Sequence, residues 1–385
     1  MNLRAKMVIA LAAGVLLACL GAGLRSATTA PAAASTSWNQ KAAAAYLDRR
    51  AEWWMAWPVA ARDHQTFCIS CHTALPYALA RPVLRMALGE QTPSPNERRL
   101  LDNVIKRVRL WDQEAPFYAD QVGARKSLQS RGTESVLNAL ILASSDSRTG
   151  KLSEDTRAAF KNMWALQQTA GDGRGAWPWL DFGNEPFEAK DSAFYAACLA
   201  AVAVGTTPEN VRTTPELRGR LKLLDEYLNR NYASQSLINQ VALLWAAAKL
   251  PGLLTLDQRH SIVDKILGTQ RTDGGWSLSS LSWTWNASTP KSLVKLWIRS
   301  EGTPLEAISD GYATGLVAFT LEQSGFPNED LHLQKALAWL ARNQNEKEGR
   351  WQGYSLNHAH DSTPMGLFMS DAATAYAVLA LEGAR

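Results

Sequence analysis

The chain has 385 residues and a mass of 42.2 kDa, enough for one large domain or two to three ordinary ones. Hydrophobic residues make up 46% and charged residues 20%, the mix of a packed globular protein, which excludes a disordered chain. The formal charge of +4 includes Arg4, Lys6 and Arg25 of an acid-free N-terminal segment. The remainder is close to neutral and carries no surplus of positive charge for nucleic acid, and four cysteines are too few for a disulfide scaffold.

At the N-terminus, Arg4 and Lys6 precede the apolar run 7–24 and the small residues 26–37, the pattern of a secretory signal. Leu16-Leu17-Ala18-Cys19 is similar to a bacterial lipoprotein cleavage box. Cleavage after Ala30 or Ala34, or retention of the run as a single anchor, suits the same segment. The expectation is a leader or anchor over 1–36 and a body over 37–385. That body would be periplasmic or otherwise extracytoplasmic, with membrane attachment through the N-terminus only. No later stretch reaches the roughly 18 apolar residues that a membrane span needs.

Apolar spacing predicts amphipathic helices near 39–54, 96–112, 153–168, 215–231, 256–269 and 329–343. Between them lie Ala-rich, apolar segments near 70–88, 132–145, 191–205, 235–249, 309–324 and 370–382. A helix that is apolar all round must be buried on most sides, so the second set forms an inner ring and the first an outer one. The expected fold is all-α: a single toroid of six helical hairpins, closed by 370–382 against 70–88. Pro76 and Pro82 predict a short or kinked first inner helix. Asp191, Asp310 and Asp371 stand where inner helices begin and read as caps, and Cys198, on an Ala-rich helix, reads as an inert core thiol.

Three segments repeat one pattern: a helix, then Gln, a Gly-rich turn and Trp. They are Gln167 with Gly175 and Trp177, Gln270 with Gly275 and Trp276, and Gln344 with Gly349 and Trp351. This pattern resembles the QW repeat of the squalene–hopene cyclase and protein prenyltransferase superfamily. The resemblance covers residues 150–385 well and 38–145 by architecture only. It implies an α/α toroid in which these Gln and Trp side chains lock turns. The activities of the superfamily do not follow, because Asp-x-Asp-Asp and Asp-Asp-x-x-Asp are both missing. The spacing of Asp191 and Cys198 does not match a prenyltransferase zinc site.

Cys68-Ile69-Ser70-Cys71-His72 carries the sharpest chemistry. C-x-x-C-H places two thiols to add to the vinyl groups of one haem and offers the next imidazole to the iron, so one covalent haem c is the expected cofactor. A Cys68–Cys71 disulfide and a metal site that includes His64 are the competing readings. For the far side of the iron, His360 and His358 come first, since ring closure brings their loop beside the first inner helix. His64, Met365 and Met369 follow.

Long connections run from outer to inner helices and all emerge at one end, where function is expected. Trp177, Trp179, Trp283 and Trp285 in these loops suggest an aromatic mouth for an apolar or ring-shaped ligand. Asp181, Glu185 and Glu188 lie in the same region and are the candidates for acid–base work. The leading expectation is an exported haem protein that transfers electrons to a partner protein or oxidises a small ligand held in that mouth. The alternative is a non-redox toroid that binds or modifies an isoprenoid or glycan, with Cys68 and Cys71 stapling a loop.

Overall fold

The computed structural model describes residues 37–118, 124–212, 214–282, 308–356 and 363–384. Among them are twelve helices of twelve residues or more. The outer set is α1 (Gln40–Ala56), α3 (Pro95–Arg109), α5 (Glu154–Ala165), α7 (Pro215–Asn231), α9 (Leu256–Gly268) and α11 (Leu331–Arg342). The inner set is α2 (Ala74–Ala87), α4 (Ala124–Ser147), α6 (Ser192–Thr206), α8 (Leu237–Lys249), α10 (Gly311–Gln323) and α12 (Phe368–Gly383). Each inner helix packs against the next, and α12 packs against α2. The ring therefore closes, and the chain is an all-α toroid.

Local chemistry explains both sets. Outer helices begin at exposed ends, and Asn39, Ser94, Ser153, Thr255 and Asp330 each accept a backbone N–H of the first turn. Ser94 and Thr255 do so in reciprocal capping boxes with Glu97 and Gln258. The inner helices α6, α8, α10 and α12 are buried along most of their length. The segment Pro364–Gly383 is long and apolar enough to cross a membrane by composition, contrary to the sequence expectation, yet most of it is the buried helix α12. The axis of the ring is filled, not hollow: Tyr312 and Tyr376 meet edge-on at 5.7 Å, and Trp245 meets Phe319 at 5.4 Å.

The three Gln–Gly–Trp turns are locks of one design. The indoles of Trp177, Trp276 and Trp351 are fully buried and donate to the carbonyls of Met163, Ile266 and Leu340, at 2.6, 2.8 and 2.7 Å. Each Gln amide then reaches forward to the next outer helix. Gln167 donates to Arg220 O at 3.0 Å, Gln270 to His332 O at 2.8 Å, and Gln344 to Asn39 O at 3.0 Å. The last of these spans the seam of the ring. Gly349, with φ of +82°, shows why the turn needs glycine: a Cβ there would stand 2.0 Å from the carbonyl oxygen of Ala42.

Three expectations about inner helices fail, one being Asp191, which stands at the N-cap position of α6 but makes no side-chain capping bond. Helix α2 runs through both prolines for 14 residues, Pro76 sitting in its first turn where no intrahelical N–H is needed. Asp371 is no cap, because α12 begins at Phe368 and places its carboxylate one turn inside. Asp310 does cap α10, accepting from Ala313 N at 2.9 Å.

Candidate functional site

The connection from α1 to α2 departs from the lock design. Ala61–Arg62 pairs antiparallel with Thr66–Phe67, turning through His64 and Gln65 at φ of 51° and 58°. Two consecutive non-glycine residues in the left-handed region are strained. Arg107 of α3 holds the hairpin from below. Its guanidinium, fully buried, bonds Glu134 at 2.6 Å, the Thr66 hydroxyl at 2.6 Å and Glu114 at 3.1 Å. Asn103 brackets the main chain of Phe67 with bonds of 2.9 and 3.0 Å.

The C-x-x-C-H segment is fixed at both ends by this frame. Cys68 N–H donates to Ala60 O at 2.9 Å, and Cys68 O accepts the Trp54 indole at 2.8 Å. Ser70 Oγ accepts the backbone N–H groups of Thr73 and Ala74, at 3.2 and 2.9 Å, which turns the chain into α2. The first inner helix begins at Ala74, so the motif lies just before it and not, as the span 70–88 implied, within its first turn.

A cavity of about 830 Å³ opens beside it, within the range of cofactor sites. Four separate connections build its wall. The first supplies Trp54, Trp57, Cys68 and His72; residues 115–118 supply Phe117 and Tyr118. Residues 184–188 supply Phe187 and Glu188, and the α12 approach supplies Met365, Phe368 and Met369. All four run from outer to inner helices, so the cavity opens at the end where the long connections emerge.

Inside the cavity His72 is clamped by aromatic rings. Phe368 stacks on the imidazole with centroids 3.7 Å apart, and Trp54 meets its edge at 5.2 Å. Nδ1 lies 2.9 Å from Thr73 Oγ1. Burial, reinforced by the Arg50 guanidinium, pushes the imidazole down to about 3 and leaves it neutral. Cys68 and Cys71 are free thiols, so the staple of the alternative reading is not formed. Burial pushes Cys68 up to about 11 and Cys71 well above the ordinary thiol range, which makes both poor nucleophiles at neutral pH.

Other candidates fall elsewhere. Trp177 and Trp179 are buried structural residues and not part of a mouth, their indoles donating to Met163 O and Phe187 O at 2.6 and 2.7 Å. The aromatic wall is instead Trp54, Trp57, Phe117, Tyr118, Phe187 and Phe368. Trp283, Trp285, His358 and His360 lie outside the described residues, while Met365 and Met369 line the cavity. His64 pairs with Glu114 at 3.4 Å, beside Asp63. Arg107 bonds that same Glu114, and Lys106 donates to His64 O, so cations already answer this cluster. Burial raises Glu188 to about 7 against the pull of Lys126. Sequence reasoning read Asp371 as a cap and passed over Trp54 and Trp57, for which the run Trp53-Trp54-Met55-Ala56-Trp57 just before the motif was the available signal.

No family model and no curated protein matches the chain. Among solved structures it is similar to a glycosidase point variant, 13% identical, over 88% of this chain and 97% of that one, with a TM-score of 0.46.

For a covalent haem, the cavity wall offers one thiol, Cys68, and one imidazole, His72. Two unpaired thiols flank the approach to α2; Cys68 opens onto the cavity, Cys71 is buried and does not line it, and among the described residues His72 Nε2 makes no hydrogen bond. The surrounding rings and thioethers are apolar and polarisable, as a porphyrin wall requires.

Proposed function

We propose that the chain is an exported c-type haem protein on a QW-repeat toroid related to the squalene–hopene cyclase and prenyltransferase superfamily. Cys68 and Cys71 would hold one haem covalently, and His72 would be its proximal ligand. The observation that carries this reading is the neutral, ring-clamped His72 beside Cys68 in the wall of an 830 Å³ aromatic cavity. A bound haem supplies one-electron redox chemistry. The chain's own residues exclude water from one side of the imidazole through Phe368 and Trp54, and offer a thioether from Met365 or Met369. Pyridine haemochrome spectroscopy on protein made with c-type maturation machinery tests the reading. A 1:1 haem content that Cys68→Ala/Cys71→Ala abolishes is expected. A colourless wild-type protein overturns it.

A second reading, a glycan- or isoprenoid-modifying toroid, draws on Glu188. Its carboxyl, raised to about 7 in the same wall, would hold a proton near neutral pH and could serve as a general acid. That reading expects turnover by haem-free protein, lost in Glu188→Gln, and does not need Cys68.

A further inference from the structure

Three elements that are distant in sequence meet behind His72. Asp371, on α12, is buried and accepts four hydrogen bonds. Arg50 of α1 supplies two, from Nε at 2.7 Å to Oδ1 and from a terminal nitrogen at 2.9 Å to Oδ2. The Tyr46 hydroxyl gives Oδ1 a third at 2.8 Å, and the Thr73 hydroxyl gives Oδ2 a fourth at 2.7 Å. The bidentate guanidinium favours an ionised carboxylate, and a carboxylate can only accept. The single hydrogen of the Thr73 hydroxyl is therefore committed to Asp371. What Thr73 Oγ1 presents to His72 Nδ1, 2.9 Å away, is a lone pair.

We propose that Asp371 and Thr73 are positioning residues that hold His72 as its Nδ1–H tautomer, leaving the Nε2 lone pair for the cavity. Only a protonated Nδ1 satisfies that contact, so the tautomer follows from the direction of the relay. A hydrogen bond passed to a charged acceptor also makes the opposite nitrogen a stronger donor to iron, as outer partners of metal-bound histidines do. Its functional meaning rests on the haem reading, while the tautomer is a property of the chain alone. The relay also ties the site to ring closure. Arg50 additionally donates to Pro364 O at 2.7 Å, at the head of the turn that carries Met365. A toroid whose seam is open between α12 and α1–α2 has neither the relay nor this wall.

The test uses the full chain, labelled with ¹⁵N-histidine and prepared with and without haem attachment. In haem-free protein the long-range ¹H–¹⁵N pattern of His72 should show a protonated Nδ1 and an unprotonated Nε2. Thr73→Val should move the ring toward the Nε2–H tautomer, and Thr73→Ser should restore the original pattern. In haem-loaded protein Thr73→Val should raise the reduction potential, and Thr73→Ser should return it to the wild-type value. A wild-type Nε2–H tautomer overturns the relay, as does a folded Thr73→Val protein with both tautomer and potential unchanged. If Thr73→Val fails to fold, the wild-type tautomer still decides. Protein that never takes up haem yet shows the Nδ1–H tautomer supports the relay and overturns the haem reading instead.

Discussion

The turn between α9 and α10 and the turn between α1 and α2 link an outer helix to the following inner one, and they are held by different physics. The first is a neutral lock: Trp276 fills a dry space and Gln270 stitches two backbones. The second is a charged lock, with Arg107 held between Glu114 and Glu134 under a strained hairpin. The neutral lock works by tying backbone to backbone through one amide and one indole. The charged lock holds a hairpin next to the segment whose Cys68 and His72 line the cavity. One repeat fold thus contains two kinds of turn, and the charged one borders the cavity.

The largest effects should come from destroying one lock of each kind. Trp276→Ala should cost about 3–5 kcal/mol, as large buried aromatics do. Arg107→Ala should cost a similar 3–5 kcal/mol because it strands two buried carboxylates. Denaturant unfolding measures both, and hydrogen exchange at the Phe67 and Cys68 amides separates them. Arg107→Ala should speed that exchange well beyond what Trp276→Ala does at matched global stability. Equal acceleration in the two variants would erase the distinction between the locks.

A smaller effect sharpens the neutral design. Gly349→Ala should destabilise by more than about 1 kcal/mol, since positive φ and the Ala42 carbonyl both oppose a Cβ. Gly219, inside α7 with open space around it, is the control. Gly219→Ala should instead stabilise by roughly 0.5–1 kcal/mol through helix propensity. A neutral Gly349→Ala would mean that the turn is not held against Ala42.

The remaining effect is one of pH. Burial lifts Glu188 from 4.5 to about 7, and desolvation also lifts Glu114 to about 7. Across that window the folded chain holds protons that the unfolded chain has released. Stability should therefore fall as pH rises from about 4.5 to about 7 through these two groups. Glu188→Gln should flatten part of that slope in melts taken at several pH values. A slope identical to wild type would mean that Glu188 is solvated in solution.

Much of this architecture was legible in the sequence, and the reason is periodicity. Six amphipathic and six Ala-rich segments alternate, and a helix apolar on every side has no stable place except between others. The Gln–Gly–Trp turns and the C-x-x-C-H segment are local strings whose geometry is set within a few residues, so their places in the fold could be read directly. Trp177 and Trp179 show where that reading fails. Their type suggests a mouth, but whether an indole faces a ligand or a backbone carbonyl depends on residues 8–14 positions away in the chain. Asp371 is the sharper case. As a string, Ser370-Asp371 looks like a helix cap, because an acid after a loop usually is one. Its role is decided by Arg50 and Thr73, about 300 residues earlier, which reach it only when the sixth hairpin closes on the first. Sequence by itself determined the helices, their two rings and the place of the thiols, all of which follow from short-range pattern. Tertiary structure alone decided which side chains face the cavity and how His72 is held, because those depend on contacts made across the seam.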